Sequence, residues 1–237
     1  MRRRALLGGL AASLALGNGA RAGTVDAADY DAFWLWAGVS PQPVLAGAKS
    51  LYILQAEVDT GPGGARLVAQ GGAVPHLRHG EVWMVYRVHT LDWSPRLYAQ
   101  VVGRLARWRA AGNPVEGIQI DFDARTRHLD QYGAFLRGLR TRLPANCKLS
   151  ITGLLDWSSQ GDPANLSALN GVVDEVVLQT YQGRTTIPNY AAYVDRIGRV
   201  KLPFKLGLVQ GGDWIAPPGL AANPWFRGYV VFLRNQI

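Results

Sequence analysis

The sequence predicts an α/β protein folded as a (β/α)8 barrel of the TIM type, and three observations predict it. Eight short segments rich in β-branched and aromatic residues are bounded by Gly, Pro or Asp and are spread over residues 32–235. Amphipathic patterns of helical period separate several of these segments, and such alternation is typical of a parallel sheet covered by helices. Residues 23–237 are sufficient for one barrel domain near the lower end of the size range.

The eight strands are predicted at residues 32–39, 50–58, 81–89, 116–124, 148–157, 174–182, 204–211 and 228–235. Two long helices are predicted at 94–112, which ends at a glycine, and at 128–143, which is followed by a proline. Shorter helical patterns occupy 165–172 and 189–200. Strand and helix therefore alternate through most of the chain.

The barrel is expected to be somewhat irregular, with short or missing helices in the first two crossovers and after the last strand. Residues 41–47 are too few for a long helix, residues 61–80 are rich in glycine and favour a β-ribbon, and no helical pattern follows residue 235. An open doubly wound sheet is the alternative fold. It is disfavoured because no glycine-rich phosphate loop follows the first strand.

Residues 1–22 have the features of a secretory signal peptide. Three arginines precede an apolar run from Ala5 to Leu16, and Ala20-Arg21-Ala22 is a small-x-small cleavage sequence. The apolar run is shorter than the roughly 20 residues of a membrane-spanning helix. We therefore expect a periplasmic or secreted protein with no integral membrane span after cleavage, and the export route stays open because Arg3-Arg4 loosely fits a twin-arginine signal.

Charge and cysteine content exclude several classes of function. Four leader arginines account for half of the net charge of +8, and no basic run is interleaved with aromatic residues, so no nucleic-acid partner is expected. The single cysteine, Cys147, offers neither an intramolecular disulfide nor a metal cluster. His76 and His79 lack a third ligand in sequence and are interpreted as surface residues. No metal and no cofactor is expected.

The fourth predicted strand carries the most informative pattern. Gln119, Asp121 and Asp123 alternate with two isoleucines and a phenylalanine, so the two sets point to opposite faces. The apolar set has to face the helices, which directs the polar set into the barrel and towards the mouth where barrel enzymes place catalytic groups. Two carboxylates one pleat apart repel, and a carboxyl group with a raised pKa suits general-acid catalysis. A hydrogen-bonded polar layer without catalysis is the alternative.

Other predicted strands bring polar groups to comparable heights. The candidate substrate-binding residues are Gln119, Glu57, Arg87, Asp156 and Gln179, with Thr152 and Tyr181 at the same level and His89 as a weaker candidate. Arg87 has two interpretations: it neutralises a carboxylate or grips a substrate, or it forms an internal ion pair that holds the barrel together.

Aromatic residues at strand ends suggest a carbohydrate ligand, because flat apolar rings stack on sugar rings. Five tryptophans occupy such positions, namely Trp34, Trp36, Trp93, Trp157 and Trp214. Trp34 and Trp83 are predicted to belong to the core. Trp157 and Trp214 follow aspartates in loops and are the better ligand candidates.

The fourth strand also resembles a known signature. The sequence GIQIDFDA from Gly117 is similar to the Asp-x-x-Asp-x-Asp-x-Glu motif of chitinase-like family 18 glycoside hydrolases, with Glu116, Gln119, Asp121 and Asp123 at its four positions. The segments YDAFWLW, VYRVHTLDW, IQIDFDA, SITGLLDW and QTYQG resemble more closely a bacterial family of domains of unknown function built on the same barrel. That second resemblance covers nearly the whole chain after the leader.

The resemblance to the hydrolases implies roles for three catalytic candidates. Asp123 takes the place of the glutamate that protonates the glycosidic oxygen, Asp121 that of the aspartate that orients an N-acetyl group, and Tyr181 that of the tyrosine that helps to hold this group. Trp214 stands in for the late tryptophan of the family. Asp123 is one methylene shorter than the family's glutamate, and Gln119 replaces an aspartate.

The leading hypothesis is a glycoside hydrolase-like protein acting on a polysaccharide or cell-envelope glycan, with Asp123 as general acid and Asp121 as its partner. Glu57 or Asp156 could supply a second carboxylate. The first alternative is a non-catalytic carbohydrate-binding barrel involved in exopolysaccharide handling. The second is a structural or partner-binding protein with a polar core.

Overall fold

Eight parallel strands close into a barrel in the computed structural model, which describes residues 23–71, 74–77, 80–122, 129–154, 169–197 and 201–235. In chain order the strands are β1 (Gly23–Thr24), β2 (Ala32–Leu35), β3 (Ser50–Gly61), β4 (Gly64–Ala69), β5 (Glu81–Val88), β6 (Val115–Asp121), β7 (Lys148–Leu154), β8 (Glu175–Gln179), β9 (Tyr181–Gln182), β10 (Thr185–Thr186), β11 (Phe204–Val209), β12 (Asp213–Trp214) and β13 (Phe226–Phe232). The described α-helices are α1 (Pro95–Ala110), α2 (Leu129–Arg140) and α3 (Tyr190–Ile197).

The barrel strands follow one another around the wall in the order β2, β3, β5, β6, β7, β8, β11 and β13. Every one of these neighbours is parallel, and the ring closes where β13 pairs with β2 and β2 pairs with β3. All eight predicted strands are therefore confirmed, and the open doubly wound alternative is wrong.

The crossovers are as irregular as the sequence predicts. The first contains a short 3₁₀ turn at Pro43–Gly47, and in the second β4 folds back antiparallel on β3, which confirms the β-ribbon. The two long predicted helices are confirmed as α1 and α2, and the pattern at 189–200 forms α3. Half of the short helix predicted at 165–172 lies outside the described residues, and the other half, 169–172, is a turn.

Helix α1 shows why these helices form where they do. The Ser94 side chain accepts a hydrogen bond from the Leu97 amide at the N-terminus, and Pro95 takes the first helical position, where no amide donor is needed. One face of α1 then buries Leu97, Val101, Leu105 and Trp108 against the outside of the barrel. No helix in the described part of the chain combines the length and apolar character needed to cross a membrane.

Aromatic rings fill the middle of the barrel. Tyr52 and Trp83 stack with centroids 5.7 Å apart, and Trp34 meets Tyr52 edge-on at 5.9 Å. Two glycines make the room, because a Cβ atom on Gly117 would lie 2.7 Å from the Trp83 ring and one on Gly207 would lie 2.6 Å from the Trp34 ring. The predicted core positions of Trp34 and Trp83 are confirmed.

A buried polar network lies on the amino-terminal side of this aromatic layer. The Lys205 ammonium contacts Glu175 Oε2 at 2.9 Å and donates to the Tyr52 hydroxyl at 2.9 Å. Tyr52 and Ser150 in turn donate to Glu175 Oε1 at 2.8 and 3.1 Å. A buried charge pair costs desolvation energy, and this one recovers it through added hydrogen bonds.

We expect Lys205→Met to lower the free energy of unfolding by about 3 kcal/mol, because it leaves the Glu175 carboxylate buried without its cation. Urea unfolding followed by circular dichroism measures the loss. Lys49→Met, which removes the exposed Lys49–Asp31 pair, is the control and should lower the stability far less. Equal costs for the two variants would contradict a structural role for the Lys205 network.

Candidate active site

Asp121 ends strand β6 inside the barrel, with 2% of its side chain exposed. Its Oδ2 accepts a hydrogen bond from Arg87 Nη1 at 2.8 Å, and its Oδ1 accepts one from Thr152 Oγ1 at 2.7 Å. Arg87 comes from β5 and Thr152 from β7, the two strands that flank β6. A cation and a hydroxyl on separate oxygens suit a negatively charged carboxylate.

Tyr181 lies close to this ion pair at the start of β9. Burial raises its pKa well above the usual value, the negative charge of Asp121 raises it further, and the Arg87 guanidinium lowers it. The phenol is therefore protonated at neutral pH and can donate a hydrogen bond to a ligand. The structure brings together Asp121, Arg87 and Tyr181, three residues that the sequence assigns to the mouth.

An aromatic wall borders the ion pair. It consists of Tyr181, Phe232 and Trp36, with the Phe232 ring 5.8 Å from Tyr181 and 5.9 Å from Trp36 between centroids. All three side chains are partly exposed, unlike the aromatic layer below them. Partly exposed rings beside a polar group are a common feature of carbohydrate-binding clefts, because one ring face stays open to a ligand.

A β-bulge brings Glu57 to the same end of the barrel. The pairing of β3 with β5 slips between Leu54 and Ala56, and Glu57 then lies opposite Arg87. Without the extra residue, Gln55, the regular alternation of side chains along β3 would turn Glu57 towards the outside of the barrel wall. Gln70 from the edge of the ribbon donates to Glu57 Oε1 at 3.2 Å and fixes this carboxylate.

Glu57, Asp59 and His89 form a small cluster at the rim. His89 Nε2 lies 3.7 Å from Glu57 Oε2 and 3.7 Å from Asp59 Oδ1, and one ligand atom from each residue lies within 4.8 Å of the others. These atoms could face one cation. All three side chains reach solvent, so we interpret the cluster as a hydrated group of polar side chains.

The interpretation of Gln119 as a substrate-binding residue is wrong. Its side chain is fully buried, its oxygen accepts from Trp34 Nε1 at 2.6 Å, and its nitrogen donates to Ser150 Oγ at 3.0 Å. Gln119 therefore belongs to the buried network below the mouth. Gln179, by contrast, is partly exposed and lies level with Gly207 near the carboxyl end of β8.

The interpretation of Trp214 as an open stacking surface is also wrong. Only 2% of this residue is exposed, and its ring packs against Tyr190 at 4.6 Å and Tyr229 at 5.8 Å. The short strand β12, which contains Trp214, pairs with β1 at Gly23 and holds the ring in the outer core. Trp93 is buried in the same outer layer against Phe135.

Three site candidates, Asp123, Asp156 and Trp157, lie outside the described residues, and so does His79. His76 is exposed, as expected, and its Nδ1 lies 2.9 Å from the Ala111 carbonyl oxygen.

Sequence reasoning missed two groups of residues. The first is the buried set of Ser150, Glu175 and Lys205, of which Ser150 and Lys205 are flanked by apolar residues as Asp121 is, whereas Glu175 precedes an apolar run. The second is Phe232, the central ring of the aromatic wall, which gives no sequence signal of its own because an aromatic residue in a barrel strand is usually core.

The family model described as Domain of unknown function (DUF3142) matches residues 86–194, from the end of β5 through most of α3. This match confirms the resemblance to a family of uncharacterised domains over that range. A search of curated protein sequences gives no significant match.

Solved structures with the same barrel include chitinase-like domains, as the sequence led us to expect. The chitinase domain of the spore coat protein CotE from Clostridium difficile has a TM-score of 0.51 at 14% identity, covering 76% of this chain and 65% of that chain. The spore cortex-lytic enzyme SleL of Bacillus cereus has a TM-score of 0.52 at 16% identity, covering 75% and 49%. The xylanase-alpha-amylase inhibitor protein XAIP-I, solved with trehalose, has a TM-score of 0.55 at 12% identity, covering 78% and 84%. At these identities the likeness shows the fold.

The raised pKa of Tyr181 predicts an effect at alkaline pH. In the unfolded chain a tyrosine ionises near pH 10, so a folded-state pKa above that value gives stability that is complete below pH 10 and is lost as the pH rises. We expect Tyr181→Phe to make the decline above pH 10 shallower by up to about 1.4 kcal/mol per pH unit. Urea unfolding at pH 8, 10 and 11 measures this, with pH 8 as the internal reference. An unchanged slope would contradict the raised pKa of the Tyr181 phenol in the folded protein.

Proposed function

We propose that this protein is an exported glycoside hydrolase-like barrel that binds a polysaccharide or cell-envelope glycan across its mouth. Asp123 is the general acid, Asp121 is its charged partner, and Tyr181 holds a polar substituent of the sugar. The proposal includes removal of residues 1–22 and a periplasmic or secreted location.

One observation carries this proposal: the buried Asp121–Arg87 pair lies beside the partly exposed aromatic wall of Tyr181, Phe232 and Trp36. A fixed charge close to open aromatic rings provides two things that a sugar needs, a polar anchor for hydroxyl or amide groups and a flat apolar surface for the ring. Barrel enzymes build their active sites at this end of the strands.

The two aspartates of the strand motif, Asp121 and Asp123, have different roles in this proposal. Both oxygens of Asp121 accept hydrogen bonds from Arg87 and Thr152, so Asp121 supports positive charge that develops on a sugar rather than donating a proton. Asp123, two residues further along, holds the last position of the strand motif. Its acid role rests on the resemblance of the motif to family 18 glycoside hydrolases.

The solved neighbours support a glycan-related role. Two are described as a chitinase domain and a spore cortex-lytic enzyme, and this chain spans 65% and 49% of their lengths. The same barrel also occurs in an inhibitor protein solved with trehalose. We therefore keep a second candidate function, a carbohydrate-binding barrel without turnover that serves exopolysaccharide handling. The engagement of Asp121 by Arg87 and Thr152 favours it, because this carboxylate is then fixed for binding.

The hydrolase-like role is tested by turnover of a panel of bacterial and fungal glycans. We expect Asp123→Asn to lower turnover by at least about a hundredfold while binding is kept, because it removes the acid and preserves the shape. Reducing-end release measures turnover, and calorimetry measures binding. Equal turnover by wild type and Asp123→Asn would remove Asp123 from the acid role, and binding by a wild type without turnover would favour the second candidate function.

The aromatic wall is tested separately. We expect Trp36→Ala to weaken glycan binding by about tenfold through loss of a stacking surface. Trp225→Ala is the matched control, because Trp225 is also partly buried but precedes β13 at the opposite end of the barrel. If both tryptophan variants lost the same affinity, the effect would reflect general destabilisation, and the wall would have no specific role in binding.

A further inference from the structure

A pocket with a mixed polar and apolar lining opens next to the barrel mouth. It has a volume of about 650 Å³, and the polar part of its lining consists of Thr24, Asp26, Gln210, Gly211, Arg234 and Asn235. Small-molecule sites commonly occupy about 300–1,000 Å³, so the pocket is large enough for a sugar residue. It does not include the residues assigned above to the acid chemistry.

The pocket is formed by the segments that follow the seventh and eighth barrel strands. Gln210 and Gly211 come directly after β11, and Arg234 and Asn235 follow β13 by two and three residues. In barrel enzymes the loops after these two strands frequently bind phosphate groups. The position therefore favours an anionic ligand before any side chain is considered.

The pocket rim is held in place by amide side chains. Gln210 accepts from the Arg234 amide at 3.0 Å and exchanges hydrogen bonds with the Gln42 side chain at 2.8 and 3.1 Å. Asn235 accepts from the Ser40 amide at 2.8 Å and donates to the Gly38 carbonyl at 2.9 Å. These bonds tie the loop after β2 to the ends of β11 and β13. The side-chain amides of Gln210 and Asn235 are therefore engaged in hydrogen bonds within the protein.

Arg234 differs from these residues because its charged group has spare donors. Its guanidinium makes one long hydrogen bond, from Nη1 to the Gln210 carbonyl at 3.4 Å, and forms no ion pair with the described carboxylates. A guanidinium has five N–H donors in a planar fork that matches a carboxylate or phosphate. Asp26 also lines the pocket, and its carboxylate caps a 3₁₀ turn by accepting from the Ala28 amide at 2.9 Å, so Arg234 is the cation that has to balance this charge as well as a ligand.

The pocket is linked to the aromatic wall through the backbone of β13. The backbone N–H of Gln210 donates a hydrogen bond to the Phe232 carbonyl oxygen at 3.1 Å. The Phe232 ring is the centre of the aromatic wall. A glycan lying on the wall would therefore extend towards Arg234. We propose that this pocket is a subsite for an anionic substituent of the glycan, a carboxylate or a phosphoryl group, which the Arg234 guanidinium binds. The inference rests on the proposed glycan-binding function and narrows its substrate class to acidic glycans.

The test compares a galacturonate oligosaccharide with its carboxyl-reduced counterpart by calorimetry, and adds glucuronate and inorganic phosphate as small probes. We expect wild type to bind the acidic oligosaccharide about tenfold more tightly than the reduced one, and Arg234→Gln to abolish this preference. Arg234→Lys should restore part of it, because the charge is kept and the fork is lost. Arg227→Gln is the control, since Arg227 is exposed at the other end of β13 and donates only to backbone carbonyls.

The small probes separate the two chemical sources. Arg234-dependent binding of glucuronate assigns the subsite to a carboxylate, and Arg234-dependent binding of phosphate alone assigns it to a phosphoryl group. If wild type bound the acidic and the reduced oligosaccharide equally well and bound neither glucuronate nor phosphate, the subsite would be overturned. The proposed glycan binding would remain intact. Arg234-dependent anion binding without any oligosaccharide binding would support an anion site and contradict the proposed function.

Discussion

A carboxylate that is 2% exposed inside a barrel has to be compensated, and the pairing of Asp121 with Arg87 is the interaction on which the mouth depends. Removing Arg87 would take this cation away from the buried Asp121 carboxylate, and losing the partner of a buried charge costs several kcal/mol. The pair also links β5 to β6, and Thr152 extends the link to β7. These hydrogen bonds connect three successive strands at the height of Tyr181. They fix the positions of Arg87, Asp121 and Thr152 relative to one another.

The barrel interior contains two polar layers that are built for different purposes. The lower layer, centred on Glu175 and Lys205, is closed by mutual hydrogen bonds and covered by the stacked rings of Tyr52 and Trp83. The upper layer contains Asp121 and Arg87, and the aromatic rings beside it are partly exposed. The lower end of a barrel generally serves stability and the upper end function, and the exposure of the aromatic rings in this protein follows that division.

Alternation along the strands explains how much of this could be predicted from the sequence. A period of two in β6 directs Asp121 inwards, and the glycine-rich stretch after β3 predicts the ribbon. The same period could not show that Gln119, one pleat below, is enclosed by Trp34 and Ser150, because these partners come from distant parts of the chain. Alternation assigns a face of the strand but gives neither the height in the barrel nor the partner.

Trp214 shows the same limit at the level of the backbone, and Glu57 shows a correct placement whose cause the sequence does not reveal. Trp214 follows an aspartate in a segment that looks like a loop, yet its pairing with Gly23, nearly two hundred residues earlier, buries it. Glu57 faces the mouth only because Gln55 is bulged, and a one-residue slip in β3 would turn every later side chain to the other face. Long-range pairing and strand bulges are set by the whole sheet. Pattern alone therefore assigns Asp121, Arg87 and Glu57 to the mouth, but the bulge that turns Glu57 there and the pairing that buries Trp214 are visible only in the structure.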